Sequence, residues 1–302
     1  INHFGQLASD GRPILGLSCH DFAAACQRAD LDIMIIPAHI WTPWFGLFGS
    51  KSGFDSIDEA FGDLAGCIRA YETGLSADAA MCWRVESLNR RIRVSSSDAH
   101  SLPNLMREAT LLNGTICEYD YLRLKAALSN FNSPDYYGTL EFYPQEGKYH
   151  ADGHAGCGIV LMPKETKRLS GICPNCGKLL TIGVLHRVDD LADHPEGYKP
   201  PHGGAVMYTV PLLEILAESF STGKASKLVT GWYNRLVDNL GSEYAILQEI
   251  TEFPAWVPSR VAAGIRKARN GDLFIEPGYD GIYGQVKLFR DAANRITLWE
   301  SS

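Results

Sequence analysis

DIMIIPAH (residues 32–39), CIRAYETG (67–74) and RIRVSSSDAH (91–100) share one plan: a short apolar or β-branched run that closes on a residue able to bind a metal. Runs of this length, bounded by turn-forming residues, predict buried strands at 32–37, 67–72 and 91–97. A further strand is expected at 115–119, and the alternating pattern ends after GTLEFYP (138–144). Helix-type segments lie between: 56–64, opened by Ser56 and Glu59 at capping-box spacing, then 77–89, and 102–114, closed by Gly114. Strand and helix in strict turn imply a parallel sheet or barrel.

His39, Glu72 and the pair Asp98 and His100 each stand at the C-terminal end of one of these runs. The first three are 33 and 26 residues apart, close to the roughly 30 residues of one βα unit, so their side chains are expected at one face. Barrel enzymes keep their chemistry at that face. Imidazole and carboxylate suit divalent zinc, manganese or magnesium. Two or more such ions are expected, because a phosphate bridging two cations is the usual arrangement for phosphodiester hydrolysis. These four residues are therefore both the candidate metal ligands and the candidate catalytic residues. Taken singly, each reads as an ordinary cap or turn residue; their coincidence carries the metal-site reading.

After residue 146 the pattern changes. His154-x-x-Cys157 and Cys173-x-x-Cys176 pair two knuckles across 15 residues, the spacing of a closed structural zinc site. His150 competes as fourth ligand, and a redox pair at Cys173 and Cys176 is the other alternative. The remaining cysteines lie among apolar residues and read as small buried hydrophobes. Helices are expected at 184–193, 211–220, 224–240 and 258–269, the last closed by Asn270-Gly271, with two strands around a glycine-rich turn at 273–289. The expected organisation is 1–146, 147–183 and 184–302: a phosphoesterase domain, a zinc insertion and a mainly helical DNA-binding region.

The 302 residues are 45% hydrophobic, enough for a sizeable core, and no apolar run reaches the roughly 20 residues of a membrane span. INHFGQLASDG (1–11) lacks a basic stretch followed by an apolar block, so a cytoplasmic protein without a secretory signal is expected, and the missing initiator Met implies an incomplete chain. A net charge of −7 does not favour a polyanionic partner, although basic residues can still gather on one face. Two segments fit that description. The loop 40–54 sets Trp41, Trp44, Phe45, Phe48 and Phe54 beside Ser50, Lys51, Ser52 and Gly53, which reads either as a base-stacking and phosphate-binding segment or as a packed lid. Lys224, Lys227 and Arg235, then Arg260, Arg266, Lys267 and Arg269, give the C-terminal helices a basic excess.

PAHIWTPWFGLFGSKSGFDSI (37–57), YETGLSADAAMCWR (71–84) and SSSDAHS (95–101), with the two knuckles and PGYDGIYG (277–284), resemble the endonuclease Q family and its polymerase and histidinol phosphatase (PHP) domain. The resemblance implies an α/β fold with a PHP-type, distorted TIM-like barrel. It implies cleavage of a DNA strand 5′ to uracil, hypoxanthine, xanthine or an abasic site, with damaged DNA as partner and a nucleoid-associated location. It also raises Tyr279 from a hairpin residue to a candidate substrate contact. The family's domain opens with a His-x-His strand, and none precedes His39, so about a third of the barrel is expected to be missing. The rival readings are a phosphatase or general nuclease on the same fold, and an inactive zinc-containing DNA-binding or helicase-associated module.

Overall fold

A computed structural model describes residues 5–6 and 14–289; most of the N-terminal stretch read for a signal lies outside the described residues. β1 (Gly5–Gln6) pairs antiparallel with β2 (Ile14–Leu15). α1 (Cys19–Ala29) follows a Ser18 cap. α2 (Ile57–Phe61) begins where expected, with the Glu59 N–H donating to Ser56 Oγ at 3.0 Å. The Glu59 carboxylate reaches back to the Asp55 N–H rather than that of Ser56, so the reciprocal cap is displaced by one residue. Gly62, at φ 56°, ends the helix in a conformation that glycine adopts without strain.

β3 (Ala70–Glu72), α3 (Ala79–Trp83) and β4 (Ile92–Val94) form a parallel unit in which Glu72 pairs in register with Val94. β5 (Ala109–Leu112), α4 (Tyr121–Ala127) and β6 (Tyr136–Glu141) come next. The insertion holds the hairpin β7 (Asp152–His154) and β8 (Ile159–Leu161), followed by α5 (Pro163–Arg168). α6 (Val184–Leu191) leads to β9 (Ala205–Tyr208), which joins β6 in parallel and completes the sheet β5-β6-β9. α7 (Leu212–Ser219), α8 (Lys227–Leu240) and α9 (Ser259–Asn270) pack together before the hairpin β10 (Phe274–Glu276) and β11 (Gln285–Lys287). Gly271, in the left-handed region at φ 69°, closes α9 as the sequence predicts.

Three expected elements differ. Residues 32–37 form no strand: the Met34 N–H goes to the Tyr121 hydroxyl, and Pro37 has no N–H to give. The segment still meets β3 at its end, through Glu72 N–H to Pro37 O and Ile40 N–H to Glu72 O. The expected helix 102–114 is instead a single 3-10 turn at Leu102–Asn104 followed by β5. Leu102 and Leu105 are 82% and 56% exposed, so the helical stripe has no core to face, while Leu111 and Leu112 pair with β6. Residues 115–119 form a 3-10 turn rather than a strand, with Ile116 turned to solvent.

No closed sheet occurs among the described residues, so the expected barrel is replaced by small open sheets. Side chains join β4 to β6 where a ladder would otherwise run. Arg93, 2% exposed, donates to Glu141 Oε1 at 2.9 Å and to Thr139 Oγ1, and Glu141 Oε2 takes the Ala79 N–H. α6 packs into the N-terminal core through Val184 and Val188, and α7, α8 and α9 form a separate core around Ile215, Leu216 and Ile265. Among the described residues no helix is long and apolar enough to cross a membrane.

Candidate metal centres and the cleft between them

The strand-end residues sit on unusual backbone. His39 (φ 34°) and Asp98 (φ 45°) adopt positive φ, which a non-glycine residue holds only when its surroundings impose it. Glu72 Oε2 takes the His39 N–H at 2.7 Å, and His100 Nδ1 lies 2.8 Å from the Asp98 carbonyl. His39 Nδ1 is buried with no partner, which fits a ligand position. Gly74, at φ 66°, backs His39 so closely that a Cβ there would lie 2.5 Å from the His39 Cβ. Below them Thr73 Oγ1 and Ser95 Oγ are 3.2 Å apart, and Ser95 donates to Glu108 Oε2 at 2.8 Å. Burial raises the Glu108 carboxyl to about 8. Sequence reasoning missed this residue because it falls in 102–114, the segment expected to be a helix.

Among the described residues the structure gathers one metal-type cluster, and it is not these four. The Glu72 oxygen and the His100 ring are engaged by neighbouring backbone instead.

That cluster is His154, Cys157, Cys173 and Cys176, whose ligand atoms all lie within 4.8 Å of one another. Ligands of a tetrahedral zinc stand about 3.8 Å apart, given Zn–S bonds of about 2.3 Å, so the set fits zinc. His154 is the fourth member, and His150 lies outside the cluster. The first knuckle turns on a 3-10 turn at Ala155–Cys157 closed by Gly158 at φ 65°. Burial pushes the Cys173 thiol up, but hydrogen bonds from the backbone N–H groups of Asn175 and Cys176, together with the Cys176 and His154 side chains, bring the thiol down to about 7. Such N–H groups also steady a metal-bound thiolate. Asp280 ties the insertion to the C-terminal hairpin, accepting from the Ala155 N–H and the Thr181 hydroxyl.

The loop 40–54 divides its aromatics. Trp41 and Phe48 are 1% and 0% exposed, and Trp41 Nε1 donates to Cys82 Sγ at 3.2 Å, so Trp41 is a core residue and cannot stack on a base. Trp44 and Phe45 are 44% and 92% exposed. Lys51 and Ser52 are exposed, Gly53 is half-buried, and the Ser50 hydroxyl is buried. Lys227 is exposed, Lys224 pairs with Glu214 at 2.7 Å, and the Tyr279 ring packs over Gly153 of the insertion.

A cleft of 790 Å³ runs between the loop, the insertion and the C-terminal hairpin. Two of its lining residues contact the segments that carry the strand-end candidates. Thr42 Oγ1 donates to the His39 carbonyl, and Arg107 Nη2 donates to the Ser97 carbonyl beside Asp98. Trp44, Tyr149, Lys148 and Lys224 also line it, with Trp44 and Tyr149 meeting edge-on at 5.3 Å between ring centroids.

Mixed α/β architecture, a Cys and His knuckle that could hold a metal ion and a cleft beside it define an α/β protein with a candidate metal site. The chain is 31% identical to the lesion-specific endonuclease PfuEndoQ from Pyrococcus furiosus, with a TM-score of 0.81 over 95% of this chain and 70% of that one. It is 29% identical, with a TM-score of 0.78 over 98% of this chain and 74% of the other, to endonuclease Q solved with a 27-mer duplex carrying an abasic lesion at the active site. By sequence it is 33% identical over 261 residues to the uncharacterized protein YqxK of Bacillus subtilis, covering 85% of this chain. It is 30% identical over 264 residues, 82% of this chain, to an uncharacterized protein of Methanocaldococcus jannaschii. The chain spans 62% and 31% of the length of those two relatives. No protein-family model matches it. The chain belongs to the endonuclease Q family.

Proposed function

We propose that the chain serves a metal-dependent DNA-repair endonuclease that hydrolyses the phosphodiester 5′ to deaminated bases (uracil, hypoxanthine or xanthine) or abasic sites. The observation that carries this reading is the likeness to a lesion-specific endonuclease over 95% of the chain. In it His39, Glu72, Asp98 and His100 hold the catalytic metals, which when bound supply a water of lowered pKa and neutralise charge on the phosphate. The buried, unpartnered His39 Nδ1 and the imposed backbone at His39 and Asp98 support these roles. The exposed Lys51 and Ser52 bind a backbone phosphate, on a turn that the Gly53 N–H closes by donating to the Gly49 carbonyl. Trp44 and Phe45 take the stacking role expected of the loop. Lys224 and Lys227 add positive charge along the strand, and Tyr279 keeps the zinc-bearing insertion against the hairpin that borders the cleft.

The test is incubation of the intact protein, with manganese or magnesium, with duplexes containing uracil, hypoxanthine, an abasic site or only normal bases. Cleavage confined to the damaged strands is expected. Asp98→Asn should abolish cleavage and leave DNA binding within about twofold of wild type. Equal cutting of the undamaged duplex removes the lesion-specific reading, and undiminished cutting by the variant removes Asp98 from the site. The separation of the four strand-end residues from any metal cluster favours a second reading, a zinc-containing DNA-binding module without activity. Lesion binding by wild type with no cleavage under any metal would establish it.

A further inference from the structure

Arg107 is a half-buried cation whose charge no other part of the chain answers. Arg84, Arg93, Arg123 and Arg187, also removed from full exposure, each meet a carboxylate. Arg91 and Arg269 lack one but each donate to three backbone carbonyls. Arg107 Nη2 donates to the Ser97 carbonyl at 2.9 Å, Nε is buried with no partner, and among the described residues no carboxylate pairs with the group. A guanidinium carries five N–H donors, and withdrawing it from water without a counter-charge is unfavourable unless a ligand completes the set. The segment is also held in place. The Arg107 N–H donates to the Asn104 carbonyl at 3.3 Å, and the next residue, Glu108, accepts from Ser95. Thr110 takes the Ser95 N–H and donates back to the Ser95 carbonyl. Residues 107–110 therefore grip the strand end that leads to Asp98.

The placement selects the ligand. Arg107 lines the cleft beside the strand-end candidates, because the carbonyl it holds belongs to Ser97, next to Asp98. A fixed cation beside a set of metal ligands repels the metal unless an anion lies between the two. Of the two lysines that also line the cleft, Lys224 is neutralised by Glu214, and Lys148 holds its Nζ over the Tyr149 and Tyr283 rings. Arg107 is left as the cleft cation with unmet donors next to the candidate ligands. The planar guanidinium fork matches the nonbridging oxygens of a phosphate. We propose that Arg107 is a catalytic residue that binds the phosphate to be cut, the one 5′ to the lesion, donating to a nonbridging oxygen while Nη2 keeps its hold on the Ser97 carbonyl. This rests on the reading of the chain as a lesion-directed endonuclease. As water attacks phosphorus and the ester oxygen leaves, the guanidinium offsets charge on the nonbridging oxygens, and it gains and loses no proton itself. A contact with the sugar-phosphate chain is blind to the base, so it serves every lesion alike.

A cycle that pairs a protein change with a phosphate change isolates this contact. Labelled duplexes carry one uracil with a native phosphate, with an uncharged methylphosphonate immediately 5′ to the uracil, or with the methylphosphonate at a distant position. Binding to wild type and Arg107→Met is measured by anisotropy with calcium in place of manganese or magnesium, circular dichroism verifying the fold and a denaturing gel the intact strand. On the native duplex the variant should bind about tenfold or more weakly, the worth of a charge-assisted hydrogen bond. The 5′ methylphosphonate should cost wild type at least about fivefold more affinity than it costs the variant, and the distant one should cost both the same. Equal costs at the 5′ position overturn the inference. So does the same difference at both positions, which assigns Arg107 to general attraction or to the shape of the Ser97 segment. If Arg107→Met fails to fold, Arg107→Gln, which keeps a donor for the Ser97 carbonyl but no charge, replaces it under the same criterion. Wild type that binds the uracil duplex no better than a normal one overturns the functional reading itself, whereas a uracil preference without coupling in the cycle overturns this inference alone.

Discussion

Gly74→Ala should displace His39, and the structure sets the size of the effect. The added methyl would stand 2.5 Å from the His39 Cβ and 2.8 Å from its Cα. Carbon atoms pack at about 3.5–4.0 Å, so one of the two segments must move by about 1 Å. The left-handed backbone at φ 66° adds about 1–2 kcal/mol for any residue with a Cβ. Overpacking of this kind typically costs a further 1–3 kcal/mol, so a loss of about 3 kcal/mol in unfolding free energy is expected. Urea unfolding measures it, with Gly66→Ala as control, because a Cβ at Gly66 meets no atom within 4 Å. The control should stay within about 0.5 kcal/mol of wild type. In the cleavage assay a misplacement of about 1 Å lowers the rate by about a hundredfold. Equal stability of Gly74→Ala and Gly66→Ala would falsify the packing argument whatever the activity.

Two further outcomes follow from the same geometry. Arg93→Met alone leaves the buried Glu141 carboxylate without its charge partner and should cost about 3–5 kcal/mol, whereas adding Glu141→Leu should recover part of that loss; a double variant as unstable as the sum of the single changes refutes the pairing. Cys173→Ser should remove one bound zinc per chain, read by elemental analysis, while a His39→Ala and Asp98→Asn double variant keeps it; an unchanged zinc count in Cys173→Ser counts against the knuckle.

The elements legible in the sequence were those decided over a few residues. Ser56 and Glu59 marked the start of α2, Asn270-Gly271 the end of α9, and each two-residue gap in the knuckles brings its ligands to one point. Residues 102–114 were misread for the complementary reason. Their helical stripe is real, but a helix needs a core to face, and β6 instead took Ala109–Leu112 as a partner strand. Trp41 and Trp44 lie three residues apart in one aromatic loop, yet one is core and the other lines the cleft, a difference no local pattern encodes.

From DIMIIPAH, CIRAYETG and RIRVSSSDAH alone came the expectation of parallel strands, which holds for 70–72 and 92–94, and the candidate ligands, because apolar runs and ligand type are written locally. Tertiary structure alone decided that 32–37 is no strand, that Arg93 and Glu141 rather than a closed ladder join β4 to β6, and that Trp44 and Arg107 share one cleft. Each of those outcomes depends on burial and on partners more than 40 residues away or across a cavity, and burial is a property of the assembled chain rather than of any segment.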